Sequence, residues 1–137
     1  MTPLRTRSRY VALALGTIVV GLVVHFAGRS MPNAVRDVIG DALWAIMMTW
    51  WVSAAFPRPA ASARAAIALG ICYAVEMSQL IHTPGLNAVR STTLGHLVLG
   101  SGFDPRDFAA YAFGVVAAWL MERALTSRTQ AARGASS

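Results

Sequence analysis

The sequence predicts an all-α membrane protein of four transmembrane helices, with a short re-entrant or interfacial segment between the third and fourth. Three observations predict it. The chain is 55% hydrophobic and only 13% charged, against roughly 25% charged in a soluble domain, so polar material is too scarce to cover a water-facing globule. Four apolar runs stand at Tyr10–Gly28, Val38–Phe56, Ala65–His82 and Asp107–Leu125. At 1.5 Å per helical residue each is about 27–29 Å long, close to the thickness of the hydrocarbon layer. Finally, Pro3, Pro32, Pro57, Pro59, Pro84 and Pro105 all fall outside these runs, as intact helix interiors require.

The first run carries only Thr17 and His25 as polar residues, and the second Asp41, Thr49 and Ser53. The first run is expected to remain a span rather than a cleaved leader. It is long, and the following His-Phe-Ala-Gly-Arg-Ser offers no small-x-small cleavage site. Leu94–Phe103 is apolar but too short to span. Its Gly95, Gly100 and Gly102 suggest a flexible piece tucked against the bundle or a partly embedded surface loop. The expected organisation is a short N-terminus (1–9), one transmembrane domain (10–125) and a disordered polar tail (126–137).

Charge placement sets the expected orientation. Twelve arginines and six acids give a formal charge of +6. Arg5, Arg7, Arg9, Arg58, Arg64, Arg123, Arg128 and Arg133 fall at one end of an up-down bundle, and Arg29, Arg36, Arg90 and Arg106 at the other. The positive-inside rule then puts both termini in the cytoplasm. No basic face interleaved with aromatics exists, which argues against nucleic-acid binding. Cys72 stands alone and excludes an intrachain disulfide. His25, His82 and His96 lack metal-ligand spacing, so no metal or other cofactor is expected.

Ionisable residues inside spans are costly and point to function by default. Asp41, Glu76, Gln79, Asp107 and Tyr111 all fall toward one membrane face, where the loop residue Arg90 also lies. Glu76 and Gln79 share a helix face at i, i+3, and Asp107, Tyr111, Gly114 and Ala118 form another stripe. These six polar residues are the candidate ligand-binding set, with Glu76 and Arg90 expected to interact directly or through water. A purely structural account stands beside this one: helix-dipole partners, a packing ion pair and interhelical glue. Asp104 and Arg106 read as loop surface, Trp44, Met47 and Met48 as packing. Gly70/Ala74 and Gly114/Ala118 have the spacing of close helix contacts.

The segments Gly-Asp-Ala-Leu-Trp-Ala (40–45), Glu-Met-Ser-Gln-Leu (76–80), Val-Arg-Ser-Thr-Thr-Leu-Gly-His-Leu-Val-Leu-Gly (89–100) and Phe-Asp-Pro-Arg-Asp-Phe-Ala-Ala-Tyr-Ala-Phe-Gly (103–114) resemble a family of small bacterial inner-membrane proteins, domain of unknown function number 2809. The resemblance implies four helices and an inner-membrane location, and brings no activity. A more distant resemblance is to VanZ-like proteins of glycopeptide resistance, through Glu76, Gln79, Arg90, Asp107 and Gly114. Tyr111 stands where that pattern has Asn, and Ala42 and Ala45 stand near where it has Lys and His. The expected function is binding of the polar head of an envelope lipid or amphiphile in an outer-leaflet pocket. The alternatives are an enzyme of lipid or cell-wall precursor chemistry, with Glu76 or Asp107 as base, and an inert membrane assembly partner. Oligomeric state is not legible in the sequence.

Overall fold

A computed structural model describes residues 3–100 and 102–134, with side chains placed for most of residues 6–128. Six α-helices follow in order: α1 (Pro3–Ala27), α2 (Asn33–Ala55), α3 (Ala61–Ser78), α4 (Pro84–Arg90), α5 (Thr93–Leu99) and α6 (Pro105–Gly134), with one 3-10 turn at Gly28–Ser30. No strand occurs among the described residues. The chain is thus all-α, and three of its described helices are long and apolar enough to cross a membrane: Thr6–Ser30, Asn33–Ala55 and Pro105–Arg128. The third of the predicted spans forms the 18-residue α3. It carries Arg64 and Glu76 within its length.

Helix ends follow local chemistry. Pro32 stands at the N-cap of α2 with extended ψ, and Pro57 follows its C-cap residue Phe56. Pro84 opens α4 behind a Thr83 hydroxyl that accepts from the Leu86 N–H. Thr92 caps α5 in the same way, accepting from the Gly95 N–H at 3.0 Å. Asp104, expected as loop surface, instead caps α6. Its carboxylate accepts from the Arg106 N–H at 2.9 Å, one residue past Pro105.

Two further segments are helical. Leu94–Phe103 holds a regular helix, α5, over most of its length. Gly95 serves close approach rather than flexibility: a Cβ there would overlap the backbone carbonyl of Val89, at the end of α4. Gly100 ends the helix at φ 66°, a left-handed conformation that suits glycine. At the other end, α6 runs on to Gly134 through most of the expected disordered tail. Residues 126–133 contain no proline or glycine. Thr126 and Ser127 turn their hydroxyls back onto the carbonyls of Glu122 and Arg123, so they do not compete with the helix from outside.

Helix α2 is central, packing on α1, α3 and α6, while α6 also packs on α3. Ala45, Val52, Ala65, Ala68, Cys72, Tyr111 and Val115 form the α2–α3–α6 core, flanked by Trp44 and Met48. Tyr10, Ala14, Trp50, Ala54 and Ala118 join α1 to α2 and α6, with Met47 against them. Alanine recurs where backbones cross, since small side chains permit the close packing that lipid cannot otherwise drive. Gly114 takes part: a Cβ on it would overlap the Ala42 carbonyl oxygen and stand 3.0 Å from the Ala45 Cβ. Gly70 does not, because nothing lies within 4 Å of its missing Cβ and Ala74 is exposed. The outward surfaces of α1 and α6 present Val19, Val23, Phe26, Phe113, Val116 and Leu120, the pattern of helices whose solvent is lipid.

Candidate functional site

The inner seam of α3 is Arg64, Ala68, Cys72 and Glu76, spaced by four and all buried. The seam of α6 is Asp107, Tyr111, Gly114, Ala118 and Glu122. Each seam is apolar in the middle and polar at both ends. Packing α3 and α6 against α2 therefore creates two polar clusters, one at each end of the bundle.

The first cluster is built on Glu76, which has no exposed surface. Its Oε2 accepts from Gln79 Nε2 at 2.9 Å and from the Tyr111 hydroxyl at 3.2 Å. Its Oε1 accepts from the Asp104 N–H at 2.8 Å. One carboxylate thus ties the end of α3 to the start of α6, and three donors compensate its removal from solvent. Gln79 reaches Glu76 from the cap of α3 at i+3, and the missing side chain of Gly100 gives its amide room. Tyr73 covers the flank, donating to the Phe108 carbonyl at 3.1 Å, with its ring edge-on to Phe108 at 4.6 Å. Asp41 and Asp107, both half-buried, meet across the α2–α6 contact beside Tyr111 and Glu76.

Arg90 lies at this end and makes no direct ion pair with Glu76. Its guanidinium donates to the Ser78 carbonyl at 2.5 Å and to the Ile81 carbonyl at 2.8 Å. The reason is positional. Helix α3 ends at Ser78, whose carbonyl also accepts from the Ile81 N–H at 3.0 Å; carbonyls at a helix C-terminus attract cations, and α4 delivers one onto them. Five of the six predicted residues, Asp41, Glu76, Gln79, Asp107 and Tyr111, are thus adjacent, and Arg90 closes the end of the same helix. His25, at the same end, is exposed and meets the Phe26 ring edge-on.

Two polar atoms here are buried without a hydrogen-bond partner among the described residues: Gln79 Oε1 and Arg90 Nε. Their residues are 5% and 9% exposed. Native proteins rarely leave such groups unmatched, and each unmatched one costs about 1–3 kcal/mol.

The second cluster, at the opposite end, escaped the sequence reading. Arg64, placed there just before the third apolar run, is 5% exposed and forms an ion pair with Glu122, itself 8% exposed. Arg64 also donates through Nε to Ser53 Oγ at 3.1 Å, through a terminal nitrogen to the Tyr10 hydroxyl at 3.2 Å, and to the carbonyls of Pro57 and Pro59. Tyr10 donates to Glu122 at 2.5 Å. All four long helices meet at this one guanidinium. The signal was available: adding four to Ala118 reaches Glu122, and stepping back by fours from Glu76, through Cys72 and Ala68, reaches Arg64.

No solved structure matches the chain. The family model described as Protein of unknown function (DUF2809) matches residues 30–115. That stretch holds α2 to α5 and the first part of α6, hence every residue of the Glu76 cluster, while Tyr10 and Glu122 lie outside it. By this match over more than half its length, the chain belongs to the DUF2809 family.

Proposed function

We propose that this protein binds the polar head of an envelope lipid or amphiphile at the Glu76 end of the bundle. The reading takes α3 as a fourth membrane span, in a bacterial inner membrane, with both termini cytoplasmic and residues 29–37 and 83–106 outside. Helices α4 and α5 then form the interfacial segment over the site. The observation that carries the reading is the pair of unmatched buried atoms at the end of α3. Arg90 Nε is a free donor for an anionic oxygen. Gln79 Oε1, with Asp41 and Asp107, offers acceptors for head-group N–H or O–H bonds. Glu76, with both oxygens engaged, positions Gln79 and Tyr111 and is poorly placed to act as a general base.

The test is identification of lipid held by protein purified in native membrane discs, for the parent and for Gln79→Leu, Arg90→Leu and the double variant. Each single substitution is expected to lower occupancy of the bound amphiphile about tenfold, the typical weight of one buried hydrogen bond to a charged group. Helical content is expected to be unchanged. Parental occupancy in a folded double variant would rule these two residues out as the head-group site and leave the cluster a scaffold.

A further inference from the structure

On the outside of the bundle, between the first turns of α3 and the middle of α6, runs a shallow groove of about 150 Å³ lined by Ser62, Ala65, Val115, Val116 and Trp119. Its floor is apolar. At its outer end, the Arg123 guanidinium stands over the Trp119 ring, 4.8 Å from the centroid. Arg123 is exposed, and no acid is free to answer its charge. Glu122, the one acid at this end, is held by Arg64 and Tyr10. The other five acids (Asp37, Asp41, Glu76, Asp104 and Asp107) belong to the opposite end. Helix α3 begins beside the groove on Ala60, which offers no side-chain acceptor, so its first N–H groups add to the positive field.

We infer that this groove binds one anionic phospholipid, with an acyl chain along Ala65, Val115 and Val116 and the phosphate against Arg123. Trp119 suits the boundary between chain and head group, and a guanidinium held over its ring keeps donors free for phosphate oxygens. The uncompensated charge selects a lipid with net negative charge over a zwitterionic one. This site is separate from the Glu76 end and stands or falls independently of the head-group reading.

Native mass spectrometry of the full chain, titrated with phosphatidylglycerol or with phosphatidylcholine of identical acyl chains, tests it. One phosphatidylglycerol is expected to bind with about fivefold preference, the weight of one arginine at an anionic surface. Arg123→Gln is expected to abolish the preference. Ser62→Leu, which fills the groove from an exposed position, is expected to weaken both lipids. Arg106→Gln, at an exposed position at the opposite end, is expected to change neither. Equal binding of the two lipids by the parent would overturn the assignment. So would an unchanged preference in a folded Arg123→Gln variant, or a preference that disappears with Arg106→Gln instead.

Discussion

Replacing Glu122 with Ala is expected to destabilise the bundle by about 3 kcal/mol, the lower part of the range for halving a buried ion pair. The lower part applies because Arg64 keeps Ser53, Tyr10 and two proline carbonyls as hydrogen-bond partners. The loss has two sources. A guanidinium 5% exposed loses its counter-charge, and the Tyr10 hydroxyl loses its acceptor. Tyr10→Phe removes only the second contribution and is expected to cost about 1 kcal/mol. Replacing both charged residues by Leu removes the uncompensated charge and is expected to recover most of the stability. Reversible unfolding in mixed detergent, read by circular dichroism on the two single variants and the double, measures these three changes. A Glu122→Ala variant within about 0.5 kcal/mol of the parent, the range of an ordinary surface change, would show that the cluster is not a latch.

Gly114→Ala is expected to cost about 2–3 kcal/mol, the upper part of the overpacking range, although Ala is the better helix former. The added methyl would overlap the Ala42 carbonyl oxygen, which is backbone and cannot rotate away. Helix α6 must therefore move outward from α2. That displacement pulls Tyr111 from Glu76 and parts Asp107 from Asp41, so the same variant is expected to lose bound amphiphile as well as stability. Gly70→Ala makes the same chemical change where nothing lies within 4 Å and is expected to be neutral or to stabilise by up to about 1 kcal/mol. Opposite signs at two glycines of similar helical context would locate the close crossing at α2–α6. Equal effects would contradict it.

What was legible in the sequence followed from strong, local physics. Apolar run length and the exclusion of proline located all four long helices, and their alternating direction put Asp41, Glu76, Gln79, Asp107 and Tyr111 at one end. What was hidden depended on small shifts in helix boundaries. Helix α3 begins at Ala61 rather than Ala65 and ends at Ser78 rather than His82. The first shift brings Arg64 into the bundle. The second puts the Ser78 and Ile81 carbonyls where Arg90 donates to them. Helix α5 was obscured because its glycines read as flexibility, whereas Gly95 marks a backbone contact that only the tertiary fold reveals. Tail residues 126–133 read as disordered from their polarity, but serine and threonine hydroxyls that bond their own helix remove the competition that polarity usually implies.

The proposed placement of the two polar clusters on two membrane faces requires α3 to cross the bilayer with Arg64 and Glu76 turned inward. Cysteine labelling tests this most directly. In a Cys72→Ala background, Arg58→Cys and Gly85→Cys place thiols at exposed positions before and after α3. A membrane-impermeant maleimide applied to intact cells is expected to label the position-85 thiol at once and the position-58 thiol only after permeabilisation. Labelling of both from the same side would contradict a crossing by α3 and put the two clusters on one face.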